Sequence, residues 1–348
     1  MSLNEFFLEA VNLKASDIHL AVDMPIFFRI NGSLQRSGKW PALNKDNLLN
    51  LISEIISEKQ KDNLLKNKYL EFSHQIENEV RFRISIFYER DNLAFAARLI
   101  WPEIPTVEEI NLPPGGIKLA EMRSGLVLVT GPTGCGKSTT LAAIIDYINK
   151  NRECHIITLE DPIEFIFKGK KSLIAQRELG KDMPSFELAL KHIVRQDPDV
   201  ILVSEMRDLE TISLAITLAE TGHLVLATVH TSSAPQTIDR IIDIFPSNQQ
   251  KQIRLQVALA LKGVISQHLL PKIGGGRIVA REILVNTLAV ANLIRENKIA
   301  QIKSIIQNSS KEGMQTLEKE LKKLYQDKLI TLENALAYAN NPKEILGQ

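Results

Sequence analysis

A glycine-rich turn between an apolar run and a helix-like run constrains this chain most. Residues 126–144 read LVLVTGPTGCGKSTTLAAI, and residues 131–138 match the pattern GxxxxGK[ST]. The pattern predicts a strand, a loop and the start of a helix, in which glycines let successive backbone N–H groups converge on phosphate oxygens at the helix N-terminus. The alternative is a glycine turn that merely joins strand to helix, and it leaves the lysine and the serine of the pattern without a purpose.

The residues of this loop have distinct expected roles. Lys137 is expected to reach the β- and γ-phosphates of ATP, and Ser138 to bind Mg²⁺. Cys135 is read as a small loop residue, and the alternative is a thiol whose pKa is lowered by the helix N-terminus, which would make it sensitive to oxidation. The full set of candidate nucleotide-binding residues is Gly131, Pro132, Thr133, Gly134, Cys135, Gly136, Lys137, Ser138 and Thr139.

Composition limits the classes of protein that this chain can belong to. Its 348 residues, 44% of them apolar, predict two domains with a helical tail. Lys and Arg number 42 against 41 Asp and Glu, so no nucleic-acid partner is expected. Two cysteines without zinc spacing fit a reducing cytosol. Neither a signal peptide nor an apolar run of about 20 residues is found, so any membrane association is expected to be peripheral.

The N-terminal part of the chain predicts a small α+β domain over residues 1–100. It mixes short alternating runs, at 26–30 and 80–87, with a helix-like run at 46–60. Residues 101–116 then hold four of the 14 prolines. Because proline fixes φ and lacks a donor, this segment is expected to be an extended linker.

From residue 117 onward, short apolar runs alternate with helix-like runs. This order predicts an α/β core over 117–286 with a mostly parallel sheet covered on both faces. Asp208 is a plausible N-cap and Gly222 a plausible stop for the helix between them. Residues 287–348 read as a helical region. The expected core strands are 126–130, 155–159, 199–203, 224–229 and a last strand at 277–285.

Acidic residues follow two of these strands. Glu205 ends DVILVSE, where a carboxylate would be delivered to the Mg²⁺ shell. HIITLEDPIEF carries Glu160, Asp161 and Glu164 past another strand. Because the carboxyl ends of parallel strands form the edge where ligands bind, these carboxylates are candidates for ATP hydrolysis. Taken singly, each cluster could instead be a solvated loop.

Two histidines and three arginines leave alternatives open. His230 at a strand end either caps the chain locally or senses the γ-phosphate, and His223 reads as a histidine at a helix C-terminus. Arg81, Arg83 and Arg98 lie on strands of the N-terminal domain. They either form ion pairs at the rim of a sheet or act as arginine fingers.

Together these motifs resemble the PilT family of type IV pilus retraction motors, within the wider secretion ATPase superfamily. The resemblance covers residues 3–345. Assembly motors of the superfamily carry a long N-terminal extension and a four-cysteine zinc element, which this sequence lacks, so the retraction branch is favoured. The matching stretches are ASDIHL (15–20), RFRIS (81–85), GPTGCGKSTT (131–140), TLEDPIEF (158–165), VRQDPDVILVSEMRDLETI (194–212), TGHLVLATVHTSSA (221–234), RIIDIFP (240–246), NLIRENK (292–298) and GMQTL (313–317).

The resemblance implies roles for individual residues. Glu164 would activate the attacking water, and Glu205, with Ser138, would sit in the metal site. His230 would contact the γ-phosphate region, and Arg83 and Arg98 would approach the phosphates. The implied fold is a PAS-like N-terminal domain followed by a RecA-like P-loop ATPase core with a helical C-terminal tail.

The resemblance also implies a function and partners. It implies an ATP-hydrolysing homohexamer in the bacterial cytoplasm, peripheral at the inner membrane, that docks on a platform protein and powers pilus retraction and twitching motility, with a paralogous retraction ATPase as a possible partner. The alternatives are a related secretion ATPase for pilus assembly, conjugation or protein secretion, and an ATP-gated adaptor that is not a motor.

Overall fold

A computed structural model describes residues 1–30, 32–76, 80–100 and 103–346. The chain divides into two compact units: Met1–Glu103 with Pro162–Ile166, and Ile104–Asp161 with Phe167–Gln348. Both units mix helices with one sheet, which confirms the expected α/β class. Among the described residues, no helix combines the length and the apolarity that a membrane span needs.

The first unit packs three helices on one face of a six-stranded antiparallel sheet, whose order is β3-β2-β1-β6-β5-β4. Its core is rich in phenylalanine, and Phe7 stacks on Phe82 with ring centroids 4.4 Å apart. The single helix expected over 46–60 is wrong: the chain forms two helices, because Ser57 caps the second one in a capping box with Gln60. The elements are α1 (Leu3–Asn12), β1 (Asp17–Ala21), β2 (Phe27–Ile30), β3 (Ser33–Arg36), α2 (Lys45–Ser53), α3 (Glu58–Asn67), β4 (Tyr69–Gln75), β5 (Arg81–Glu89) and β6 (Asn92–Ile100).

The second unit is built on a seven-stranded sheet of order β13-β12-β7-β11-β10-β8-β9. Neighbouring strands pair in parallel, except that the edge strand β13 runs antiparallel to β12. The elements are α4 (Pro114–Ala120), β7 (Gly125–Thr130), α5 (Lys137–Asn151), β8 (His155–Glu160), β9 (Leu173–Glu178), α6 (Phe186–Ile193), β10 (Val200–Val203), α7 (Leu209–Glu220), β11 (Leu224–Val229), α8 (Ala234–Asp243), α9 (Ser247–Ala260), β12 (Leu261–Pro271), β13 (Arg277–Val285), α10 (Leu288–Arg295), α11 (Ile302–Asn308), α12 (Leu317–Gln326), α13 (Leu332–Tyr338) and α14 (Pro342–Leu346).

The five strands expected in the core are present. Every residue of β7, β10 and β11 is buried, which explains why the sequence shows continuous apolar runs there. Asp208 caps α7 by accepting a hydrogen bond from Thr211 N, and Gly222 with φ +110° follows the helix end, as the sequence indicates. Helix α12 buries three leucines at helical spacing against strands β12 and β13.

The proline-rich segment 101–116 is only partly extended. Residues 101 and 102 lie outside the described residues. Helix α4 begins at Pro114, within the segment, with proline in the first turn where its missing N–H costs no hydrogen bond. Residues 106–111 form a turn of their own, in which Ile110 N donates to Thr106 O at 3.1 Å.

Candidate nucleotide-binding site

The phosphate loop joins β7 to α5, in the strand–loop–helix arrangement that the motif requires. Gly131 has φ +145°, and a Cβ at this position would lie 2.3 Å from the carbonyl oxygen of Gln267. Only glycine therefore lets the backbone pass this close to strand β12. Pro132, Thr133, Gly134 and Ser138 are exposed, so this side of the loop is open to a ligand.

Lys137, the first residue of α5, is buried and points back along the loop. Its Nζ donates to Gly131 O at 2.8 Å and to Pro132 O at 3.1 Å. The same atom lies 3.4 Å from Nδ1 of His230. The ammonium group is thus held on two carbonyls of the loop, and its contact with the phosphates stays a prediction.

Glu205 and His230 meet beside Lys137 at the carboxyl ends of two neighbouring strands. Glu205 follows β10 and His230 follows β11, and these strands pair in parallel through Val203 and Ala227. His230 Nε2 lies 3.1 Å from Oε1 of Glu205. The structure thus brings together three residues that the sequence analysis selected from three separate motifs.

Arg207 completes this cluster, and none of the sequence motifs pointed to it. Its Nε lies 2.7 Å from Oε1 of Glu205, and its Nη2 donates to Oε2 at 2.7 Å, so the guanidinium grips both carboxylate oxygens. Burial raises the pKa of Glu205, but the hydrogen bonds and charges of Arg207 and His230 outweigh it, and the pKa lies below its usual value. The Glu205 carboxylate is therefore ionised at neutral pH.

The donor chemistry of Ser138 and Glu205 suits a divalent cation, although the described residues contain no cluster of three or more His, Cys, Asp or Glu side chains that could hold a metal ion. Ser138 follows Lys137 on the first turn of α5 and is exposed, and Thr139 comes next. A hydroxyl oxygen and an ionised carboxylate oxygen, here from Ser138 and Glu205, are the hard ligands that Mg²⁺ prefers.

The acidic stretch after β8 divides between two environments. Glu160 is buried and accepts hydrogen bonds from Thr158 Oγ1 at 2.6 Å and from Gln176 Nε2 at 3.1 Å, which indicates a structural role. Asp161 is exposed. Glu164 belongs by its contacts to the first unit, where its Oε1 lies 3.8 Å from Nη1 of Arg83.

Arg83 and Arg98 stand directly opposite each other on β5 and β6 of the first unit. Adjacent like charges repel, and carboxylates compensate them here. Arg83 Nε also bonds Glu71, and Arg98 Nε lies 2.8 Å from Oδ1 of Asp17, its register partner on β1. Burial raises the pKa of Asp17, but hydrogen bonds from Ser16 and Arg98 outweigh it and the pKa is lowered. Ion pairing of both arginines is thus observed, and their role as arginine fingers stays a prediction.

The structure bears on two further residues, Cys135 and His223. Burial raises the pKa of the Cys135 thiol, against a smaller opposite effect of Lys137, which favours the reading as a small loop residue over an activated thiol. His223 Nδ1 lies 2.9 Å from Leu218 O, as expected for a histidine at the C-terminus of α7.

Comparison with known proteins gives consistent matches along the chain. The family model described as type II/IV secretion system protein matches residues 1–275. The type IV pilus retraction ATPase PilT of Pseudomonas aeruginosa is 44% identical over 343 residues, 99% of each chain. A twitching motility protein of Neisseria gonorrhoeae is 45% identical over 318 residues, 91% of this chain and 85% of that protein. A crystal structure of the pilus retraction motor PilT with bound ADP has a TM-score of 0.93 at 47% identity and covers 100% of both chains. These matches confirm the resemblance to PilT ATPases that the motifs indicated.

Proposed function

Because the chain belongs to the type II/IV secretion system protein family, as a PilT-type ATPase, we propose that it hydrolyses ATP to power the retraction of type IV pili. The observation that carries this proposal is the cluster of Lys137, Glu205 and His230 at the phosphate loop. Phosphoryl transfer depends on positioning and on compensation of charge, which a lysine on the loop and a carboxylate at the same sheet edge can supply, with a histidine beside both.

The residues of the second unit divide this task among themselves. Lys137 and the backbone N–H groups of the loop bind the β- and γ-phosphates. Ser138 and Glu205 would hold Mg²⁺, which neutralises phosphate charge when it is bound. His230 is proposed to respond to the γ-phosphate, and its position next to the Lys137 ammonium and the Glu205 carboxylate supports this role. Arg207 keeps the Glu205 carboxylate ionised and oriented until a ligand competes for it.

Glu164 is the proposed general base for the attacking water. It lies in the segment 162–166, directly after the acidic end of β8. The ion pair with Arg83 joins Glu164 to a proposed arginine finger, so both groups can be released or engaged together. Arg98 is proposed to act with Arg83, its neighbour across the sheet.

The assembly is also proposed from family membership. We infer a homohexamer, peripheral at the bacterial inner membrane on its cytoplasmic side, that docks on a pilus platform protein, with a paralogous retraction ATPase as a further partner. In this scheme residues 1–100 are a PAS-like domain, 101–116 the linker, 117–286 the RecA-like core and 287–348 the helical tail. Domain movement around the linker would convert hydrolysis into pilin extraction.

Phosphate release by the full-length protein tests the enzymatic assignment. Lys137→Ala is expected to lose ATP binding, and Glu164→Gln to keep binding but lose turnover by about 10²–10⁴-fold, because a general base contributes that much. Glu153→Gln makes the same chemical change at an exposed carboxylate and is expected to match the wild type. Normal turnover in Glu164→Gln would remove Glu164 from its role.

Cells that carry Glu164→Gln on the chromosome test the direction of action. An excess of surface pili with loss of twitching motility supports retraction. Bald cells would point to pilus assembly, and an unchanged pilus count would assign the protein to another secretion machine.

A further inference from the structure

A series of hydrogen-bonded, buried polar side chains lies behind the phosphate loop. The register of the neighbouring strands brings these side chains together. Ser266 on β12 pairs with Thr130 on β7, so the next residue, Gln267, lies beside the start of the loop. Gln267 pairs in turn with Arg281 on β13, so both side chains project from the same face of the sheet. Gln267 is 0% and Arg281 1% exposed.

Gln267 contacts the loop at both of its ends. Its Nε2 donates to the carbonyl oxygen of Cys135 at 2.8 Å, and its Oε1 accepts from Thr140 Oγ1 at 2.9 Å. Its backbone carbonyl lies against Gly131 so closely that no side chain fits there. One residue thus fixes the first glycine of the loop, the carbonyl that precedes its last glycine, and the first turn of α5.

Arg281 extends this series of hydrogen bonds to the turn at residues 106–111. Its Nη2 donates to Thr140 Oγ1 at 3.4 Å, and its Nη1 donates to the carbonyl oxygens of Ile110 at 2.8 Å and Asn111 at 3.1 Å. Within the described residues, its Nε makes no hydrogen bond, and every hydrogen-bond partner of the guanidinium is a neutral oxygen. Glu320 attracts the guanidinium through space but makes no hydrogen bond with it, so the cost of burying this charge is only partly compensated.

The turn that Arg281 grips ends like a short helix. Asn111 N donates to Glu108 O at 2.9 Å, and Asn111 itself has φ +50°. The carbonyl groups at such an end lack partners within the turn and favour a cation. Along the chain, this turn lies between the first unit and α4.

We propose that Gln267 and Arg281 are positioning residues for nucleotide binding, with Gln267 holding the phosphate loop in its binding geometry and Arg281 transmitting the state of the loop to the turn at 106–111. The inference rests on nucleotide binding by the loop, as the proposed function requires. It adds two residues that contact neither the phosphates nor the metal in that proposal, and it assigns a route from the loop to the segment that precedes the core.

Affinity for ADP, measured by isothermal titration calorimetry on the full chain, tests the role of Gln267. Gln267→Ala is expected to weaken ADP binding about tenfold or more, because the loop loses two buried hydrogen bonds. Thr140→Val keeps the shape of the side chain and removes the hydroxyl that joins Gln267 to Arg281. It therefore tests the same series of hydrogen bonds without creating a cavity. Asn149→Ala is the matched control: Asn149 is also 0% exposed and on α5, but it bonds Lys168 O and Lys170 N at the far end of that helix.

Hydrogen exchange of the amides of residues 104–113, with and without ADP, tests the role of Arg281. In the wild type, ADP is expected to slow exchange in this segment. Arg281→Met, which keeps an apolar side chain of similar length, is expected to bind ADP and to lose that response, whereas Asn149→Ala keeps it.

The results distinguish a failure of the positioning role from a failure of the proposed nucleotide binding. Wild-type ADP affinity in folded Gln267→Ala and Thr140→Val would overturn the positioning role, since a purely structural residue lowers stability without changing affinity. An ADP response that persists in Arg281→Met, or is absent in the wild type despite binding, would overturn the route to the turn. Failure of the wild type to bind ADP would overturn the proposed function and this inference together.

Discussion

Replacing each of two glycines of the phosphate loop by alanine measures the cost of backbone strain and the cost of steric overlap separately. Gly134 has φ +78°, and a Cβ there would meet no atom within 4 Å. Gly131 has φ +145°, and its Cβ would lie 2.3 Å from the carbonyl oxygen of Gln267 and 2.6 Å from Sγ of Cys135. The two substitutions are identical in chemistry and lie three residues apart, so each is the control for the other.

The expected losses of stability follow from these contacts. An L-residue at positive φ costs about 1–2 kcal/mol, so Gly134→Ala is expected to lose about that much free energy of unfolding. Gly131→Ala adds an overlap that costs about 1–3 kcal/mol more, for about 2–5 kcal/mol in total. The overlap is not relieved by a rotamer change, because the obstructing oxygen belongs to the backbone of β12.

Urea unfolding followed by circular dichroism measures both losses, and calorimetric titration with ADP measures binding. Gly131→Ala is also expected to bind ADP more weakly than Gly134→Ala, because relieving the overlap moves the loop away from Gln267. If Gly131→Ala proved as stable as Gly134→Ala, strand β12 would not approach the loop as closely as described, and the reasoning would be refuted.

Burial raises the pKa of Glu282 to about 7 from 4.5. Between these two values the folded chain binds more protons than the unfolded chain, so this group makes stability fall as pH rises. Glu282→Gln keeps an acceptor for Ala234 N and is expected to exceed the wild type by up to about 3 kcal/mol at pH 8, with the gain shrinking toward pH 5 in urea titrations. Iodoacetamide is expected to modify Cys154 faster than the buried Cys135, as followed by peptide mass spectrometry, and equal rates would contradict the raised pKa of Cys135. Asp208→Ala is expected to lose about 1 kcal/mol of unfolding free energy through its helix cap, whereas Asp208→Asn should stay near the wild type in the same titration.

Local signals predicted most of the second unit. Continuous apolar runs located its central strands, because strands covered on both faces bury every side chain. Two strands were not predicted. The edge strand β9 is mostly half-buried and shows no apolar run, and β12 begins at Leu261 directly after α9 ends at Ala260, without a turn signal between them. Residues 46–60 were predicted as one helix, because their apolar spacing continues across a break at Ser57 that depends on a capping box.

The cluster of Lys137, Glu205 and His230 was predictable because parallel strands deliver their carboxyl ends to one edge, so three separate motifs converge without knowledge of the register. The grip of Arg207 on Glu205 was not predictable, since no spacing rule tells whether an exposed arginine two residues away turns back toward the carboxylate.

Gln267 and Arg281 mark the limit of sequence reasoning at this site, because their meeting depends on the register of β12 against both β7 and β13. The sequence nevertheless carries a signal. Each is a large polar residue next to apolar residues of its strand, and buried polar groups in strands have to find partners. For Gln267 those partners are a carbonyl of the phosphate loop and a hydroxyl of the helix that follows it. A large polar residue in a strand next to the phosphate-binding strand is therefore a candidate to support the loop once the order of the strands is known.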